Sequence, residues 1–149
     1  MIVLAILVGA TLLARLLGVG GIEALDSWPA ATRVGLAAMF LFTALAHFNS
    51  MRHDLARMLP PAVPQPLAVI YVTGLCEILG AIGLLLPITR TYAAAALIVF
   101  LIAVLPANIH AARAGVTLRN QPATPLIVRI PMQLLFIALT WWSGIFHAR

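Results

Sequence analysis

Residues 66–86 read Pro-Leu-Ala-Val-Ile-Tyr-Val-Thr-Gly-Leu-Cys-Glu-Ile-Leu-Gly-Ala-Ile-Gly-Leu-Leu-Leu, and Glu77 is the one acidic or basic residue among them. A hydrocarbon layer of about 30 Å needs close to 20 apolar residues in helix, so this stretch has the length and composition of a membrane span. Backbone N–H and C=O groups in lipid must be satisfied inside the segment, which selects the helix. The strict polar alternation of a membrane barrel is absent. Working outward, four more stretches qualify: Ile2–Val19, Val34–Phe48 with its flanks, Tyr92–Ile109 and Leu126–Phe146. The expected architecture is all-α, an integral membrane bundle of five transmembrane helices.

Composition agrees. Of 149 residues, 63% are hydrophobic and 9% charged, against about 45–50% and 25% in soluble domains. All nine basic residues are arginines, scattered singly between apolar blocks. That leaves no basic stripe for a nucleic-acid backbone, and it suits arginines that anchor helix ends at headgroups. Cys76 is the one cysteine; it excludes an intramolecular disulfide and reads as a buried packing residue. No repeat or linker divides the chain. It is expected to form a single membrane domain over 1–149, with 1–20 as an extra N-terminal helix and 31–146 as a four-helix core. A secretory signal is the rival reading of the first segment. The lack of a basic region before it, the interrupting Arg15 and the absence of a small-residue cleavage pattern favour a retained span.

The connections are short. Residues 20–32 hold Glu23, Asp26, Trp28 and Pro29, a polar turn with an interfacial tryptophan. In residues 49–65, Met51, Leu55, Met58 and Leu59 share one helical face, which predicts a short amphipathic helix lying along the interface. Pro60, Pro61, Pro64 and Pro66 then enforce an extended approach to the third span. Residues 87–91 make a tight hairpin, and residues 110–125 a return loop. Five crossings place Arg52, Arg57, Arg113, Arg119 and, just inside, Arg129 toward one face, and Arg15, Arg33, Arg90 and Arg149 toward the other. The positive-inside rule therefore barely sets an orientation.

The same topology brings polar residues from four helices toward one half of the bilayer. His47 lies near the end of the second span. Glu77 lies roughly 16 Å into the third at 1.5 Å per residue. Asn108 and His110 close the fourth, and Arg129 and Gln133 open the fifth. A carboxyl at that depth must be protonated, paired or turned to a wet cavity. Gly74, Gly80 and Ala81 on the Glu77 face admit a close helix, and Arg129 and Gln133 are its expected partners by depth. Pro106 and Pro131 each remove a helical donor and predict kinks that open a concavity beside the cluster. The candidate ligand-binding residues are His47, Glu77, Asn108, Arg129 and Gln133, with His110 as a possible addition. Each also has a plainer reading: interfacial histidines, interhelical hydrogen bonds for Asn108 and Gln133, and headgroup anchoring for Arg129.

Phosphate-loop, zinc-protease and nucleophile-elbow motifs are absent, and no metal site is expected. His47 and His110 as haem ligands would need both rings well inside the bundle. The pocket residues offer donors from Arg129, Asn108 and Gln133, an acid in Glu77 and a proton relay in His47. Such a set suits a quinone or similar amphiphile.

The segments Phe40-Leu-Phe-Thr-Ala-Leu-Ala-His47-Phe48 (preceded by Arg33), Met58-Leu-Pro-Pro-x-x-Pro-x-Pro66, Gly74-Leu-Cys-Glu77-Ile-Leu-Gly-Ala-Ile-Gly-Leu-Leu-Leu-Pro87, Pro106-Ala-Asn108-Ile-His110 and Arg129-Ile-Pro-Met-Gln133 together resemble the DoxX-like membrane proteins. The likeness runs from about Arg33 to Trp142. It implies a small protein of the bacterial cytoplasmic (inner) membrane with a four-helix core. Relatives in that family include a subunit of a thiosulfate:quinone oxidoreductase and a membrane partner of thiol-stress and superoxide-defence enzymes; a distant eukaryotic relation is an assembly chaperone for receptor channels. With Cys76 alone, a dithiol mechanism within this chain is excluded. The leading expectation is an accessory subunit of a membrane redox or stress-response system, with a redox or stress-response enzyme as partner and a quinone as possible cofactor. The alternatives are a carrier for a small hydrophobic molecule and an assembly factor without a ligand.

Overall fold

A computed structural model describes residues 2–118, 121–122 and 124–148. Arg119 and Arg149, assigned above to opposite faces, lie outside the described residues. The order is α1 (Ile2–Val19), a 3-10 turn (Glu23–Leu25), α2 (Trp28–Phe48), α3 (Arg52–Met58), α4 (Pro66–Leu85), α5 (Arg90–Ala103), α6 (Leu105–Arg113), β1 (Thr117–Leu118), β2 (Gln121–Pro122), α7 (Leu126–Trp141) and a π-turn (Trp142–Phe146). Among the described residues, five helical stretches are long and apolar enough to cross a membrane, with α5 and α6 together forming one of them. The chain is thus a helical bundle compatible with a multi-pass membrane protein.

α2 is the hub. It packs on α1 along one side, on α4 along another, and on the π-turn that ends α7. α5 bridges α4 and α7. Leu36, Met39, Phe40, Leu84 and Leu97 form the centre of the core. Small residues set the spacing: a Cβ on Gly35 would collide with Leu7 and Thr11 of α1, and one on Gly80 with the Leu97 side chain of α5. The outer face carries many large apolar side chains, including Leu16, Val72, Leu79 and Ile127.

Several boundaries differ from the sequence reading. α2 begins at Trp28, inside the expected polar turn, because Ser27 caps it: its Oγ accepts from the Ala30 amide at 3.2 Å. The amphipathic helix forms as α3 and buries Met58. The expected return loop instead continues α6 to Arg113 and adds the antiparallel β1–β2 pair. The two prolines part company. Pro106 lies just after the break at Val104 that separates α5 from α6, whereas α7 runs unbroken through Pro131. Pro131 stands in the second turn, where its missing donor costs one bond near a helix end rather than in mid-ladder. Cys76 is exposed, not buried. The buried stripe of α4 runs through Gly74, Glu77, Gly80, Ala81 and Leu84, and a residue next to Glu77 points about 100° away from it.

Candidate functional site

The C-terminal end of α2, the first two thirds of α4, α6 and the start of α7 lie toward one end of the bundle, and the candidate polar residues all lie in these elements. They form two groups rather than one.

The first group joins α2 to α4. His47 Nδ1 lies 2.8 Å from the Ile70 carbonyl oxygen. A carbonyl only accepts, so Nδ1 carries a proton and donates it. The Thr73 hydroxyl, 3.1 Å from Nδ1, donates to the same carbonyl at 2.9 Å. With its ring fixed this way, His47 turns Nε2 toward Glu77 Oε2 at 3.3 Å. In a neutral ring of this tautomer Nε2 is a lone pair, so the approach to a carboxyl is favourable only with a proton between the two, on ring or acid. The other carboxyl oxygen, Oε1, accepts from Thr43 Oγ1 at 3.1 Å; that hydroxyl is also 3.0 Å from the Phe40 carbonyl and divides its one proton between them. Glu77 is 7% exposed. Its Oε2 is buried and makes no aligned hydrogen bond among the described residues. Gly74 makes the contact possible, since a Cβ there would stand 2.5 Å from His47 Cβ and 2.9 Å from the Phe48 ring.

The second group joins α5, α6 and α7. Arg129 Nη1 donates to Asn108 Oδ1 at 2.5 Å, and Asn108 Nδ2 donates to Gln133 Oε1 at 3.2 Å. Gln133 Nε2 in turn donates to the Leu101 carbonyl, three residues before the break at Val104. Gln133 is buried. Each amide in this chain both donates and accepts, and the last donor meets a backbone oxygen beside the helix interruption.

The expected pairing of Glu77 with Arg129 or Gln133 is therefore replaced: Glu77 meets His47 and Thr43, and Arg129 meets Asn108. The reason is lateral. α4 packs against α2 and α5, while α7 packs against α5 and α2, so similar depth on α4 and α7 does not bring the side chains together. His110 joins neither group; its Nδ1 donates to the Met58 carbonyl at 3.0 Å and ties α6 to α3. Thr43 and Thr73 were missed. The signal was present, because Thr43 and His47 are spaced i, i+4 on α2 and face the Gly74 side of α4.

The opposite end holds groups that the sequence analysis treated only as headgroup anchors. Arg33 is buried, and its Nη1 donates to the Ser143 carbonyl at 2.7 Å and the His147 carbonyl at 3.1 Å. Arg90 Nη1 donates to the Ala148 carbonyl at 2.9 Å. Both cations thus satisfy carbonyls at the C-terminal end of the last helix, where the helix dipole is negative. No group of three or more histidine, cysteine, aspartate or glutamate side chains that could hold a metal occurs among the described residues.

A family described as a domain of unknown function (DUF8561) matches residues 36–144. The match starts within α2, runs to the π-turn and leaves α1 outside. No curated protein matches the chain. No solved structure does so either.

Proposed function

The chain belongs to the DUF8561 family, and we propose that it is a multi-pass protein of the bacterial cytoplasmic membrane acting as an accessory subunit of a redox or stress-response system, as its resemblance to DoxX-like proteins implies, with a quinone or similar amphiphile held at the His47–Glu77 pair. The observation that carries this reading is the buried Glu77 Oε2, which has a histidine at 3.3 Å and no aligned hydrogen bond among the described residues. A buried carboxyl oxygen left in that state is costly, and a ligand oxygen or hydroxyl beside it would complete it. The residues fit such a group: an acid and an imidazole share a proton, and an apolar groove over Leu45, Phe48 and Ile78 runs along the same two helices, as an amphiphile site requires. A quinone supplies reversible electron acceptance coupled to protonation at its oxygens. In that setting the Ile70 carbonyl and Thr73 fix the His47 ring, Thr43 orients Glu77, and the pair holds the proton to be passed. Asn108, Arg129 and Gln133 are assigned to fastening α6 and α7 at the helix break.

The test is an organic extract of the full chain purified in mild detergent, analysed by mass spectrometry. Wild type is expected to carry a quinone or comparable carbonyl amphiphile, His47→Ala and Glu77→Gln to lose it, and Asn108→Ala to keep it. Wild-type protein free of any such compound overturns the reading. A carrier without a redox role would hold the same ligand but need no enzyme partner, and pull-down from membranes separates these two. An assembly factor without a ligand is favoured by one observation, the closure of the Asn108–Arg129–Gln133 chain on itself and on Leu101. Under that reading the extract is empty and a partner complex fails to assemble without this chain.

A further inference from the structure

At the end opposite the His47–Glu77 pair, α1, the turn before α2 and the end of α7 enclose a cleft of about 540 Å³, far larger than the roughly 30 Å³ share of one water. Its polar lining is dominated by two guanidinium groups. Arg15 uses Nη1 on Asp26 Oδ1 at 2.6 Å and lies 5.7 Å from the centre of the Trp28 ring. Its Nε is buried and has no hydrogen-bond partner among the described residues. Arg33 lines the same cleft while its Nη1 holds the carbonyls of Ser143 and His147. Among the described residues Asp26 is the one carboxylate lining the cleft, beside two arginines. Trp28 and Trp142 supply apolar walls beside the charges.

The Arg15 side chain is 24% exposed, so its guanidinium reaches the cleft, while its shielded Nε–H is left without an acceptor among the described residues. Arginine presents its donors as a planar fork that matches phosphate or carboxylate oxygens. The positive end of α2 opens into the same space, because Ser27, Trp28 and Pro29 line it, and its dipole adds to the field. We propose that this cleft binds a phosphate-type oxyanion through the guanidinium groups of Arg15 and Arg33, with the indoles of Trp28 and Trp142 against whatever apolar portion the anion carries. Asp26 holds Arg15 in place and competes with the anion for it. The ligand is either the headgroup of an anionic lipid or a free phosphate; both present the same oxygens. The site is separate from His47 and Glu77 and does not rest on the quinone reading.

The test is calorimetric titration of the full chain in neutral detergent with two probes, inorganic phosphate and dihexanoyl phosphatidic acid, and with dihexanoyl phosphatidylcholine as the zwitterionic reference. Saturable binding of phosphatidic acid is expected in the wild type. Arg15→Lys keeps the charge but lacks the fork, and should weaken binding about tenfold. Asp26→Asn removes the competing carboxylate and should strengthen binding severalfold. The second variant decides the matter if the first fails to fold. Binding of inorganic phosphate with the same response to the variants identifies a free-anion site, and binding of phosphatidic acid alone identifies a headgroup site. The absence of saturable binding by both anionic probes, or affinities unchanged by Arg15→Lys and Asp26→Asn, overturns the proposal, as does equal binding of phosphatidylcholine.

Discussion

The His47–Glu77 pair and the Asn108–Arg129–Gln133 chain occupy the same end of one bundle, yet they differ in how far the protein satisfies them. The second closes: a cation donates to an amide, that amide to another, and the last to the Leu101 carbonyl. The first closes less tightly: among the described residues Glu77 Oε2 meets only His47 Nε2, at 3.3 Å and outside hydrogen-bond alignment. A closed chain explains itself as packing, since a proline-bounded break at Val104 puts backbone carbonyls beside a neighbouring helix that can donate to them. A buried carboxyl oxygen held by that one loose contact is not explained as packing in the same way. That difference is the basis of the proposed division between residues that fasten helices and residues that meet a ligand, although composition and depth class them together.

The comparison breaks most visibly at Gly74. Gly74→Val would drive side-chain atoms into His47 and Phe48, where even a Cβ stands at 2.5 and 2.9 Å. Overpacking of this kind costs roughly 1–3 kcal/mol and sometimes more. The apparent thermal midpoint should fall the furthest in this variant, and ligand retention should go with it. Gln133→Leu comes next. It strips the Leu101 carbonyl and the Asn108 amide of their partner, a loss of about 1–3 kcal/mol for buried groups left unmet. Thermal unfolding should register that loss while the organic extract stays unchanged. Arg129→Ala removes one bond, to Asn108, and interhelical hydrogen bonds in membrane bundles average about 0.6 kcal/mol with values to about 2. The midpoint should move less than for Gln133→Leu. A larger fall would show that Arg129 has a second buried role. Glu77→Gln is the mildest for the fold, because its amide can still meet Thr43 and offer an N–H to His47 Nε2, for a change within about 1 kcal/mol. Its effect should fall on the ligand.

Much of this arrangement is legible in the chain. The five apolar stretches, the amphipathic α3 and the break near Pro106 follow from period, length and proline chemistry. The starting point of α2 was also legible in Ser27-Trp28-Pro29, a capping residue followed by proline in the first turn, although the acidic loop residues around it pointed to a turn. Pro131 shows the limit of proline as punctuation, since its effect depends on how many ladder bonds precede it. The residues of the polar end were legible one by one, whereas their partners were not. Depth along each helix follows from counting residues, but which helices are neighbours depends on lateral packing. Here the informative residue was Gly74: its position one turn before Glu77 marked the face of α4 against which another helix closes, and α2 brings Thr43 and His47 to that face. The arginine clamps at the other end were hidden for a different reason. Arg33 and Arg90 bond backbone carbonyls of residues 143–148, and no side-chain pattern announces a carbonyl as a partner.

The most direct measurement is ¹⁵N NMR of full-length protein in detergent with labelled histidine, asparagine and glutamine side chains, titrated with a short-chain benzoquinone. The His47 Nε2 resonance should shift saturably, Nδ1 should remain protonated on the Ile70 carbonyl, and the Asn108 and Gln133 side-chain amides should stay in place; Glu77→Gln should abolish the His47 response. Saturable movement of the Asn108 and Gln133 amides while His47 stays still would contradict the division between an open pair and a closed chain.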